Sequence, residues 1–294
     1  MMTFRLGTIQ AWLGVFLILT CPLAGAETIR IQASKDNTLY ESPSGRQSNG
    51  VGEHMFTGLT NELLKRRAVI AFEDLDDIPE NSLITSVRIL LHLSKENSRA
   101  TSIDLHRLTA DWGEGTSDAT GNEGQGANST TDDATWIHRF SSFRTWQNAG
   151  GDYEAEESAQ FLADDVGFYI IRSTDRLVAD VHSWLDDPSQ NFGWILVGDE
   201  DERSSKRFDS RENSEPTFRP LLEVTYSVTG TGSDFSGPWF DPTLDGEGYL
   251  IFQTPAGWIV YFFGYTSGGE RLWLTSQPVT LDLLEFGETF ELPM

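Results

Sequence analysis

From residue 27 to about residue 228 the apolar positions recur every second residue in short runs, with turn-forming residues between them. Residues 28–33 put Ile29, Ile31 and Ala33 on one face, and residues 67–72 put Ala68, Ile70 and Phe72 together. Residues 86–93 align Val87, Ile89, Leu91 and Leu93 against Arg88 and His92 opposite. Further runs at 102–108, Gly167–Ile171, 193–197 and 220–228 follow the same rule. Period-two alternation marks strands with one buried face. Many such strands without helical crossovers imply antiparallel sheets packed as a sandwich. The expected fold class is all-β.

One stretch breaks the period. Asp175–Asp186 spaces Leu177, Val178, Val181, Trp184 and Leu185 as a helix does, with Ser173 or Thr174 to cap its start and Pro188 to stop it. This single short helix is expected to cover one end of the sandwich, with Trp184 and, from a neighbouring strand, Trp194 in the core. Residues 110–166 have weak periodicity and are rich in Gly, Ser, Thr, Asp and Glu. A loop this long in a compact domain is usually functional or disordered. Trp112, Trp136 and Trp146 argue for an ordered insertion, because disordered segments are poor in aromatics.

Residues 229–234 read as a linker. Residues 235–294 hold 13 of the chain's 34 aromatic residues. Aromatic runs at 258–265 and 271–274 between Gly-rich turns predict a small β-meander. A cysteine-free unit this short is marginal alone. The chain stops at Leu292-Pro293-Met294, just after a strand-like run, so more sequence is expected to follow.

The first 26 residues have the three parts of a secretory signal. Arg5 supplies the positive start, residues 12–19 (WLGVFLIL) the apolar run, and Ala24-Gly25-Ala26 the small residues for cleavage before Glu27. The apolar run is too short to span a bilayer. The expected location is therefore secreted, periplasmic or cell-surface. Cys21 is the only cysteine and would leave with the signal, which excludes disulfides and thiol chemistry from the mature chain. The formal charge of −24 lacks the basic excess that nucleic acid or anionic lipid requires. Such acidity keeps an exported protein soluble, and a few of the carboxylates are candidates to hold structural calcium. Those candidates are Asp36, Asn37, Asp111, Glu114, Asp132 and Asp133, although no EF-hand pattern is present.

Several segments resemble one known family in their order and spacing. They are Asp36-Asn37-Thr38-Leu39-Tyr40, Ser48-Asn49-Gly50, and the run from Arg67 to Glu73 with Ile78-Pro79 after it. Asp111-Trp112-Gly113-Glu114-Gly115, Asp133-Ala134-Thr135-Trp136 and Asn191-Phe192-Gly193-Trp194 follow. The closing segments are Phe208-Asp209-Ser210-Arg211-Glu212 and Arg219-Pro220-Leu221-Leu222-Glu223-Val224. Together they resemble the DNRLRE, or disaggregatase-related, family of carbohydrate-binding modules. Glu73 stands where that family usually has Asp, and the 110–166 insertion exceeds its minimal pattern. The resemblance implies a jelly-roll sandwich and polysaccharide binding, often beside a catalytic domain. Ser236-Gly237-Pro238-Trp239-Phe240-Asp241-Pro242 and Asp245-Gly246-Glu247-Gly248-Tyr249 resemble an aromatic-rich repeat of exported bacterial proteins.

His54, His92, His106, His138 and His182 have no close metal-ligand spacing, and His92 and His106 are expected on the solvent face of strands. There is no G-x-S-x-G elbow, P-loop or G-x-G-x-x-G. A glycosidase needs only two opposed carboxylates, which 45 acidic residues supply by chance. Tyr153, His138 and Arg139 could serve a lyase, again a set that chance supplies easily. Asp199-Glu200-Asp201-Glu202 reads as a solvated hairpin turn, and Arg207 and Arg211 as structural ion-pairing residues.

Sugar recognition needs ring faces and fixed polar partners. Trp112, Trp136, His138, Arg139, Arg144 and Trp146 offer both in the loop-rich region, with Arg suited to an acidic ligand. The competing reading makes the tryptophans packing anchors that hold the long loop down. The chain is thus expected to be an exported, non-catalytic polysaccharide-binding protein. The alternatives are a structural or adhesive surface protein making protein–protein contacts, and a polysaccharide hydrolase or lyase.

Overall fold

The computed structural model describes residues 26–79, 82–96, 100–228, 237–239, 248–254, 257–265 and 269–276. The signal, the linker at 229–234 and the closing Leu292-Pro293-Met294 lie outside the described residues. The first strands are β1 (Glu27–Gln32), β2 (Lys35–Tyr40), β3 (Gln47–Ser48), β4 (His54–Leu59), β5 (Lys65–Ala71), β6 (Ser82–Glu96) and β7 (Thr101–Leu108). The long insertion carries β8 (Ala127–Asn128), β9 (His138–Phe140) and β10 (Arg144–Thr145). Then come β11 (Tyr153–Ala163), β12 (Gly167–Ile171), the helix α1 (Asp175–Asp186), β13 (Trp194–Gly198), β14 (Lys206–Asp209) and β15 (Leu221–Val228).

These strands make an antiparallel β-sandwich. In one sheet, β6 is flanked by β15 and β14 along one side and by β12 along the other, with β1 outside β15. The second sheet runs β2, β5, β13, β7, β11. β4 belongs to both: residues 54–57 pair with β14, and Gly58 and Leu59 pair with β5. Gly58 makes that crossing with a φ of 94°, a backbone that side chains oppose.

The core lies between the sheets. Val87, Ile89, Leu91 and Leu93 of β6 meet Ala68, Ile70, Trp194, Leu196, Ile103 and Leu105 of the facing sheet, as the alternation predicts. α1 closes one end with Leu177, Val181 and Trp184, and its bounds match those read from the sequence. Thr174 is the cap: its Oγ1 accepts from Leu177 N at 3.0 Å.

A second apolar cluster lies on the outer face of the second sheet. Leu39, Val69, Ala71 and Ile195 point away from the main core and pack under Trp112, Ala134 and Trp146 of the insertion. The insertion is therefore an ordered third layer. It is shorter than expected, because its last part, from Tyr153, is the eleven-residue strand β11. The acidic Glu154, Glu156 and Glu157, with register shifts on both sides of Glu157, hid that strand's alternation.

The C-terminal part is a separate antiparallel meander of β16 (Gly237–Trp239), β17 (Gly248–Thr254), β18 (Gly257–Tyr265) and β19 (Arg271–Thr275), paired in chain order. Among the described residues no helix is long and apolar enough to cross a membrane.

Candidate functional site

The insertion is pinned by its tryptophans. Trp112 is 1% exposed and donates its Nε1–H to Phe192 O at 2.9 Å. Trp146 is 4% exposed and donates to Thr135 O at 2.9 Å. Neither ring can stack on a sugar, so both are corrected from ligand candidates to anchors. The half-buried Trp136 packs on the same cluster, with the Arg67 guanidinium 5.0 Å from its ring. An indole beneath a loop and an indole on its surface look alike in a sequence; only the third layer separates them.

The polar candidates stand outside this floor. β9 and β10 form a hairpin that carries His138, Arg139 and Arg144. Phe140 and Phe143 stack in parallel there at 6.4 Å, Phe143 is exposed, and Arg139 and Arg144 both lie within 6 Å of the Phe140 ring. Arg139 also donates to Asp111 O at 3.2 Å, which ties the hairpin to the strand exit below. His138 turns inward, with Nδ1 3.2 Å from Thr135 Oγ1.

Between this hairpin and the loop before β13 runs a groove of about 450 Å³. Arg139, Asp111, Asp152, Gln147 and Gln190 line it, and Phe192 forms an apolar wall. Asp152 is held rigid by Gln147 N and Asn148 N, each at 2.8 Å. Gln147, Gln190, Asp152 and Phe192 were missed by sequence reasoning, since side chains some forty residues apart carry no shared local pattern. Planar amide, carboxylate and guanidinium groups around one ring-bearing wall are the chemistry that grips hydroxyl pairs.

The six calcium candidates do not converge on one point. Asp36 and Glu114 come together, with Glu114 Oε1 accepting from Asp36 N at 2.8 Å. Asn37 donates to Glu114 O, while its Oδ1 accepts from Thr38 N, Ser48 and Asn49 N. Asp111 pairs with Lys35 at 3.2 Å. Asp133 is buried and accepts from Thr130 and Ser117, and Asp132 sits at an exposed turn with φ 69°.

Arg211, expected as an ion-pairing residue, binds Glu114 through Nε and Nη2 at 2.8 and 3.2 Å and lies 3.1 Å from Glu212. Burial, then the charge of Glu212, pushes the Asp36 carboxyl well above the carboxylate range. Burial and the neighbouring Glu114 raise Glu212 to about 7. A cation here would compete with the guanidinium.

Two other expectations change. His92 is covered: Phe218 stacks on it at 3.9 Å and its Nδ1 meets Asp209 Oδ2. Asp209 reaches on to His54 Nε2 at 3.4 Å, and His54 Nδ1 lies 3.1 Å from Glu123. Burial opposes charge on Glu123, yet hydrogen bonds from His54 and Asn49 hold it below its usual range. Glu200 is not a free turn residue, because it pairs with Arg67 at 2.6 Å and Lys65 at 2.7 Å. Tyr153 packs against His106 at 5.0 Å and under Arg67.

A scan against protein-family models found none that matches this chain, and a search of curated proteins found no match either.

Proposed function

We propose that the sandwich is a non-catalytic polysaccharide-binding module of an exported protein, and that the groove beside the β9–β10 hairpin is its docking site. One observation carries this reading: five planar polar side chains around the Phe192 wall, which Trp112 anchors by donating to the Phe192 carbonyl. The resemblance to the DNRLRE family supports the same class of ligand. Arg139 in the lining offers a carboxylate of an acidic chain two parallel hydrogen bonds, while Asp111 and Asp152 beside it suit hydroxyl donors.

The test is retention on insoluble polysaccharides and a glycan array, each with and without EDTA. Arg139→Ala and Gln190→Ala should each weaken retention about fivefold, the loss of roughly 1 kcal/mol of hydrogen bonding. No binding to any glycan, or binding indifferent to both changes, removes the proposal. Structural calcium at Asp36 and Glu114 is a separate proposal, supported by the crowding of carboxylates there, and it requires the metal to displace the Arg211 guanidinium from Glu114. Added calcium should then raise the melting temperature, and an unchanged value counts against it.

The adhesive alternative has its own support. Among the described residues β12 pairs only with β6, and Phe168 and Ile170 on it are 63% and 53% exposed. A hydrolase or lyase would instead release products from the same glycan panel.

A further inference from the structure

A pocket of about 180 Å³ opens where the end of β6 and the start of β14 meet the turns near residues 61 and 122–125. Its lining holds four basic side chains, Arg66, Lys95, Lys206 and Arg207, and one carboxylate, Glu62. In a chain of formal charge −24 that balance is the reverse of the whole. Charges more than about 8 Å away are largely screened at physiological ionic strength, so the local excess sets the field.

Two of the cations face each other. Lys95 and Arg207 are cross-strand partners in the pairing of β6 with β14. Lys95 is exposed and Arg207 half-buried, so both are open to a ligand. Arg207, expected as an ion-pairing residue, instead donates its Nε–H to Ser94 Oγ at 3.1 Å. Among the described residues neither it nor Lys95 pairs with a carboxylate. Like charges set directly opposite destabilise a sheet. A facing pair without a counterion is therefore relieved by an anion between its members.

The rest of the wall narrows the anion. Lys206 is buried and already shared with Glu96 at 3.9 Å. Arg66 is buried and donates to the carbonyls of Glu41, Lys65 and Gly124, neutral oxygens that leave its charge in place, while Glu62 and Glu41 attract it from further off. These two cations supply field rather than contacts. Asn122 and Gln125 add exposed amide donors on their turn. That turn is fixed, because Tyr40 donates to Glu123 O at 3.0 Å and Glu123 Oε2 accepts from Asn49 Nδ2 and His54 N, each at 2.9 Å. Sites for drug-sized ligands begin at about 300 Å³, so this one takes a single small group and not a sugar chain. Its donors come from two strands and a turn. A carboxylate offers oxygens in one plane, whereas a tetrahedral oxyanion offers them in as many directions as these donors arrive.

We infer that this pocket binds one tetrahedral oxyanion, a sulfate or phosphate group, free or carried as an ester on a small saccharide. Lys95 and Arg207 hold its charge from the two strands, and the amides of Asn122 and Gln125 donate to its remaining oxygens. This inference does not rest on the polysaccharide groove.

The test titrates the full chain with sulfate, phosphate and acetate at constant ionic strength, read by calorimetry and by melting temperature. Sulfate and phosphate should bind at one site per chain, and acetate should not. Sulfate also stabilises proteins through its exclusion from their surface, so the quantity that decides is the difference between the parent and its variants. Lys95→Gln and Arg207→Gln should each weaken sulfate binding about tenfold, the loss of one charged hydrogen bond. Lys95→Gln should also raise the melting temperature of the anion-free protein, since it removes one of two facing like charges. A sulfated disaccharide against its unsulfated counterpart separates the sources. Tighter binding of the sulfated sugar than of inorganic sulfate, weakened by Lys95→Gln, makes the ester the ligand, and binding of the inorganic ion alone makes it the free anion. Sulfate binding that is absent, or equal in parent and variants, overturns the inference, as does acetate binding as tightly as sulfate. A lowered melting temperature in anion-free Lys95→Gln overturns it too, because Lys95 then already has a counterion. Arg139→Ala should leave sulfate binding intact, which keeps a failure here distinct from a failure at the groove.

Discussion

Glu212 carries a proton across the range where carboxylates are normally charged. Its folded value of about 7 stands above the ordinary 4.5, because burial and Glu114 both oppose its charge. The folded state thus binds this proton more tightly than the unfolded chain. The resulting stability is fully present below pH 4.5 and is lost as pH rises through 7. Glu212→Gln should therefore raise the melting temperature at pH 8 and leave it nearly unchanged at pH 4, as calorimetry can read. An equal shift at both pH values would show that Glu212 titrates normally. The sequence put Asp36 and Glu114 in one candidate set and Arg211 among the ion-pairing residues, but nothing in it brought Glu212 beside them. Asp36, Glu114 and Glu212 are far apart in the chain, and only the antiparallel layers bring them round Arg211. The same holds for His54, Glu123, Asp209 and His92.

Among the elements, clarity followed the number of buried faces. β6 alternates cleanly because one face is buried and the other is not, and α1 shows its period, its cap and its stop together. β5 and β13 are apolar on both faces, since Val69, Ala71 and Ile195 serve the outer cluster while Ala68, Ile70 and Trp194 serve the inner one. That double burial was the trace of the third layer in the sequence. β11 was obscured by its acidic start and its bulges. The helix start offers the sharpest check. Thr174 caps α1 and its Oγ1 also donates to Ser158 O at 2.5 Å. Thr174→Ala should cost about 1 kcal/mol and lower the melting temperature by roughly 2–4 °C. A melting temperature within error of the parent would deny the cap any role.

In the whole molecule, the insertion and the sandwich depend on each other unequally. The inner core binds both sheets and α1, whereas the cover is fastened mainly through Trp112 and Trp146 on the outer face. Trp146→Ala should cost roughly 3–5 kcal/mol, as loss of a buried large ring does. Hydrogen exchange should then accelerate first at residues 111–152, while β6 and β15 stay protected. Uniform acceleration across both regions would show one cooperative unit. Most of the groove's lining belongs to the cover, so the proposed glycan binding should fail along with those amides and before the sandwich melts. Seven of the strands and the helix were readable from periodicity; the strand order and the groove were not, because alternation does not say which strands pair and a tryptophan's type does not reveal which side of a loop it faces.

β4 runs through both leaves of the sandwich, turning at Gly58 where a Cβ would come within 2.6 Å of Ser204 Oγ. A thread stitched through two sheets of cloth keeps either from being peeled away alone. Pulling on one leaf loads the other through six residues, so the two should part in a single event, and the stitch is only as sound as the one bend that lets it pass.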